Sequence, residues 1–178
     1  ASVGGGLWSQ APLTAVAPGA ATVTASASFR GRNVVTATVP VAVAPVVRGP
    51  FRIALRYDRP INPAYADVFA RAVAFWESVI TAALPEAVVR LPDDACGAGV
   101  PAVDTTTTAV VISVRVDSID GTGRVLGAAG PCLVRGAGPR LTSFGVMQFD
   151  SADVGGLVAR NIAYDVIRHE MGHVLGIG

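Results

Sequence analysis

The chain has 178 residues, 51% of them hydrophobic and 15% charged, with a formal net charge of +1. That length allows one ordinary domain, or one domain and part of another, with a sizeable core. The composition excludes a disordered chain, and the near-neutral charge argues against nucleic acid or an anionic membrane as partner. All the positive charge is arginine, and no apolar run reaches the 18 residues that a membrane span needs.

In chain order, residues 1–46 alternate small and β-branched side chains, as in Ala21-Thr22-Val23-Thr24-Ala25 and Val34-Val35-Thr36-Ala37-Thr38-Val39, around the turn-like Phe29-Arg30-Gly31-Arg32-Asn33. This pattern predicts a β-hairpin with few large side chains of its own. The opening Ala1-Ser2-Val3-Gly4-Gly5-Gly6 lacks a basic stretch followed by an apolar one, so no signal peptide is visible. Residues 47–50 read as a linker. Phe51-Arg52-Ile53-Ala54-Leu55-Arg56-Tyr57 alternates as a half-buried strand does.

From 64 to 83 the period changes. Tyr65, Val68, Phe69, Ala72, Val73, Trp76, Val79 and Ile80 make one apolar stripe of a helix, with Pro63 suited to its first turn and Pro85 just past its end. Within it Trp76 reads as a core anchor and Glu77 as helix surface. Residues 105–108 read as an exposed loop, 109–116 as a β-branched strand and 117–123 as a turn. Residues 124–134 and 144–149 are further strands, and 151–156 a loop. A last helix begins between 157 and 162 and runs to about 175. The order predicts an α+β fold with a mixed sheet.

Cys96 and Cys132 are the only cysteines. An even count fits a disulfide, which would stabilise the fold by roughly 3–4 kcal/mol; two buried thiols are the alternative. Asp117, Asp120, Asp150 and Asp153 do not follow the spacing of an EF-hand, so turn formation outweighs calcium binding.

The strongest chemical signal is His169-Glu170-Met171-Gly172-His173, followed by Val174-Leu175-Gly176-Ile177-Gly178. Histidines four apart on a helix share a face, one turn apart, where both imidazoles reach one ion. Glu170 then projects beside that ion, placed to take a proton from a metal-bound water and pass it to a leaving amine. These are the only two histidines of the chain. A charged Glu170 and two imidazoles are costly to bury on so apolar a helix without a partner. Asp165 shares the face of His169. It reads as a first-turn acid favouring the helix dipole, or as an acceptor orienting His169.

Gly176 fits an ordinary glycine C-cap equally well locally, but beside the zinc motif it favours the longer pattern in which a glycine turns the chain and brings a third ligand to the metal. The third histidine of that pattern would follow Gly178, so the chain reads as a piece cut from a larger protein at both ends. With two ligands of three, it is expected to be inactive alone.

Residues 51–178 resemble the catalytic domain of leishmanolysin-like metallopeptidases, of the metzincin clan, in a bacterial form. The likeness rests on Phe75-Trp76-Glu77-Ser78-Val79-Ile80, on the run from Ile119-Asp120-Gly121-Thr122-Gly123 to Pro131, on Gly145-Val146-Met147-Gln148-Phe149-Asp150-Ser151-Ala152-Asp153, and on the zinc motif. Residues 1–46 are similar to the end of a bacterial Ig-like repeat. The resemblance implies a metzincin-like N-terminal catalytic subdomain, a twisted sheet with a backing helix and an active-site helix, preceded by a partial all-β Ig-like segment. It implies a Zn2+-dependent endopeptidase, secreted or on the cell surface, acting on protein or peptide substrates. His169 and His173 would be the metal ligands and Glu170 the general base. It also implies that the strand before the zinc helix lies along the cleft, with 145–149 offering backbone to an extended peptide; a plain core strand is the alternative. The rival functional reading is an Ig-like surface protein with a non-cutting, peptidase-like binding domain.

Overall fold

A computed structural model describes residues 19–29, 32–43, 49–136 and 140–178. The chain divides into two compact units, Ala1–Val46 and Val47–Gly178. In the first, strands β1 (Gly19–Phe29) and β2 (Arg32–Val43) form an antiparallel hairpin running from Gly19↔Val43 to Phe29↔Arg32, with a register shift at Ala27/Ser28.

The second unit is mixed α+β. Its main sheet contains β3 (Ile53–Tyr57), β6 (Val110–Asp117), β7 (Gly127–Val134) and β8 (Thr142–Asp150) in the order β3-β6-β8-β7. The pairs β3–β6 and β6–β8 are parallel, and β7 runs antiparallel along β8. A separate hairpin joins β4 (Ala87–Leu91) to β5 (Val103–Thr107). Three helices complete the unit: α1 (Pro63–Val79), α2 (Ser151–Ala159) and α3 (Ala163–Leu175).

Side-chain alternation along the central strands builds two cores. Ile112, Val114, Met147 and Phe149 turn to the helices and meet Phe69 and Ala72 of α1, Val154 and Leu157 of α2, and Ile167, Met171 and Val174 of α3. Val111 and Phe144 turn the other way, onto Val89, Val100 and Val103 of the β4–β5 hairpin and its connection. Each large side chain buried in this way contributes about 1.5–3 kcal/mol. Among the described residues no helix is long and apolar enough to cross a membrane.

The helix ends follow local chemistry. Pro63 opens α1 behind Asn62, whose side chain accepts the Ala64 N–H at 2.9 Å, and the helix stops at Val79, four residues short of the apolar pattern. Residues 151–156 are the start of α2 and not a loop. The carboxylate of Asp150 caps them by accepting the Ala152 N–H, which offsets the low helix propensity of Gly155 and Gly156. Residues 105–108 are likewise mostly strand: Thr105, Thr106 and Thr107 pair with Val89, Val88 and Ala87. Glu77 does more than solvate α1, because it accepts the Ile53 N–H at 2.8 Å and pairs with Arg52 at 3.0 Å, tying the helix to the start of β3.

Cys96 and Cys132 are joined in a disulfide, with their Cα atoms 5.7 Å apart, so the loop after β4 is fastened to β7. The strand 145–149 lies in the middle of the sheet, hydrogen-bonded to β6 on one side and β7 on the other. It has no free backbone edge for a peptide, which corrects the expectation that it lines the cleft. In this unit the edge beside it is β7.

Candidate metal centre on helix α3

The zinc-motif helix sits on the sheet by a notch. Gly145 of β8 faces α3, and a Cβ there would lie 2.4 Å from Val174 Cγ1 and 2.9 Å from the Gly130 carbonyl oxygen. The absent side chain lets Val174 reach the sheet. Thr142 Oγ1 then donates to the Val174 carbonyl at 2.7 Å, giving the last turn a partner outside its own helix. The buried face of α3 is Ala163, Ile167, Met171 and Val174, at helical spacing.

On another side of α3 the histidines converge. His169 Nε2 and His173 Nε2 are 3.0 Å apart, with ring centroids at 4.5 Å and planes at 85°. His169 is exposed, and Glu170 and His173 are half-buried, so the pair is open to solvent. Two tetrahedral zinc ligands at 2.0–2.1 Å would place their nitrogens about 3.4 Å apart. The observed spacing reaches that value with a shift of a few tenths of an ångström, and imidazole nitrogen suits the ion, so the pair fits Zn2+ as two of its ligands. Among the described residues no group of three His, Cys, Asp or Glu side chains is placed to hold an ion.

At the C-terminal end of α3, Gly176 adopts φ 83°, which costs glycine little, and Ile177 donates its N–H to the Gly172 carbonyl at 2.9 Å. The reversal sets Gly178 against His173, where a Cβ would lie 2.7 Å from Nδ1. Asp165 forms an ion pair with Arg168 at 3.2 Å and serves the first turn of α3, while the partner of His169 is His173.

The aspartates build turns. Asp150 Oδ2 accepts the N–H groups of Ile119, Asp120 and Gly121 at 2.8–3.1 Å, while Asp153 accepts the Gly123 N–H at 2.9 Å. These hydrogen bonds, led by those from Ala152 and Asp120, hold the Asp150 carboxyl down at about 2. Two of the sequence runs behind the family resemblance, 119–131 and 145–153, are therefore one physical unit.

A largely apolar cavity of about 430 Å³ lies on the opposite face of the sheet from α3, its lining including Val100, Ala129 and Val146, the polar side chains of Asp58, Ser113, Arg115 and Gln148, and the Cys96–Cys132 bridge. Ser113 Oγ donates to Asp58, Arg115 Nη2 stands 3.6 Å from the same carboxylate, and Arg115 Nη1 donates to the Ala98 carbonyl at 2.7 Å. No local sequence pattern marks this set, because its members come from well-separated segments of the chain. No family model matches the chain, and no curated protein is similar to it in sequence.

Proposed function

We propose that the chain carries the active-site helix of a zinc-dependent metalloendopeptidase, similar to leishmanolysin-like enzymes of the metzincin clan, acting on protein or peptide substrates outside the cell. One observation carries the reading: two imidazole Nε2 atoms meet at 3.0 Å on an open face of α3, with Glu170 next to the first of them in the chain. His169 and His173 would hold a zinc ion there, which would supply a water acidified toward a pKa of about 7 and polarisation of a carbonyl. His169 and His173 offer their Nε2 lone pairs, which requires the neutral tautomer with the proton on Nδ1. Glu170 accepts the proton of the attacking water and returns it to the leaving nitrogen.

The substrate is held as an extended strand along β7, where main-chain hydrogen bonds recognise backbone more than side chains. Pro131 in β7 has no N–H to give, so that position offers a substrate backbone no donor. In this reading the sheet with α1 and α3 is the N-terminal part of a metzincin catalytic subdomain, and the β1–β2 hairpin closes a bacterial Ig-like repeat. The disulfide supports an oxidising, extracellular setting.

The test is zinc uptake, followed by competition with a chromophoric chelator. The wild-type chain and Glu170→Gln are expected to bind one zinc weakly, and His169→Ala or His173→Ala to bind none. Uptake by either histidine variant equal to that of wild type refutes the assignment.

A further inference from the structure

We infer that Trp76 is a positioning residue for the His169–His173 pair, fixing the roll of α3 about its own axis; the inference rests on the zinc reading above for its functional meaning. Trp76 lies near the end of α1, half-buried, and its indole N–H donates to the Arg168 carbonyl at 3.1 Å. That carbonyl belongs to the residue just before His169. The six-membered ring of the same indole lies over Gly172, where a Cβ would stand 3.3 Å from Cζ2 and 3.8 Å from Cη2. Gly172 is the residue just before His173.

One side chain of α1 thus touches α3 twice, one turn apart, each time one position before a histidine. Arg168 adds a third hold, its guanidinium 4.9 Å from the Phe75 ring and 5.3 Å from the Tyr164 ring. Residues 164, 168 and 172 form a line along the helix, and 169 and 173 form the adjacent line. Side-chain tips lie about 5–6 Å from a helix axis, so a roll of about 10° carries both imidazoles sideways by about 1 Å. A displacement of that size is enough to spoil the aim of a catalytic group. Gly172 has its own cost, since a mid-helix glycine disfavours the helix relative to alanine. The indole occupies the space that glycine leaves.

Because both histidines move together in a roll, the expected signature of losing the contact is specific. The pair should keep its affinity for metal and lose its fixed place against the sheet. The measurement is pulsed dipolar EPR on the full 178-residue chain. Cu2+ with a blocking chelate is held by the two histidines, and a nitroxide is attached at Val88→Cys, an exposed position of β4 on the opposite face of the sheet. Cys96 and Cys132 are bridged and leave no other free thiol to label.

Trp76→Phe removes the N–H and withdraws the outer ring edge from Gly172. It is expected to broaden the Cu–nitroxide distance distribution about twofold, with zinc affinity within about twofold of wild type. Glu77→Ala, which cuts the tie from α1 to β3, should lower stability yet leave the distribution unchanged. A Trp76→Phe distribution that superimposes on wild type overturns the inference. Should that variant fail to fold, Gly172→Ala displaces the indole from the other side, with the same broadening expected and the same superposition overturning the inference. Failure of the wild-type chain to take up zinc would instead refute the metallopeptidase reading, because copper binding and the distance measurement do not depend on it.

Discussion

Replacing Gly145 by alanine tests how the zinc-motif helix is seated. The new Cβ would lie 2.4 Å from Val174 Cγ1 and 2.9 Å from the Gly130 carbonyl oxygen. Carbon atoms rest at about 3.5–4.0 Å, so Val174 must withdraw by more than 1 Å, and the backbone oxygen behind the new methyl leaves it no other direction to yield. Withdrawal also stretches the 2.7 Å hydrogen bond from Thr142 to the Val174 carbonyl. Overpacking of this kind costs about 1–3 kcal/mol, and a weakened hydrogen bond about 1 more. The expected loss is about 2–4 kcal/mol, or about 6–15 °C in Tm for a unit of this size. Denaturant titration of the chain measures it. Val174→Ala removes the clashing methyl groups, so the double variant should be about 1–2 kcal/mol more stable than the two single losses added together. A Gly145→Ala chain within about 0.5 kcal/mol of wild type, or strict additivity in the cycle, refutes the notch.

Asp150 supplies a pH test. Its folded pKa is about 2 against an ordinary 3.8, so its contribution to stability is complete above about 4 and is lost as pH falls toward 2. Asp150→Asn should therefore flatten the acid limb of the stability curve between pH 4 and 2, and an unchanged limb would sink this account. Reduction of Cys96–Cys132, or the paired Cys→Ser variant, should cost roughly 3–4 kcal/mol for a span of 36 residues; equal unfolding midpoints with and without reductant would show the bridge to be idle. Two imidazoles hold zinc weakly, so this chain should show no chelator-sensitive peptide hydrolysis, and robust cleavage would overturn the ligand count. If a third ligand completes the site, Glu170→Gln should abolish cleavage and leave zinc bound.

The sequence was most legible where one physical pattern dominates. The apolar stripe from Tyr65 to Ile80 and the β-branched run at 109–116 marked their elements, although α1 ends at Val79 and β6 begins at Val110, and the spacing of His169 and His173 marked α3. It was least legible where a distant group decides the outcome. Residues 151–156 look like a loop because glycine and aspartate favour turns, but the Asp150 cap and the burial of Val154 and Leu157 make them helical. The strand pairing of Thr105 and Thr107 depends on Val89 and Ala87 across a long connection. The edge position of β7 in place of β8 is a matter of sheet order, which periodicity does not encode. The roles of Trp76, Gly145 and Gly172 are also long-range: each appears only once α3 is laid against its neighbours.

The carboxylate of Asp150 has a consequence for motion. Three consecutive amides of an irregular segment, Ile119, Asp120 and Gly121, end on one buried oxygen. Their release requires that oxygen to be uncovered, and it sits at the junction of a central strand and a helix. Hydrogen exchange at these amides should therefore keep time with the interior of the sheet, and a stretch that looks like surface coil would open only when the sheet does.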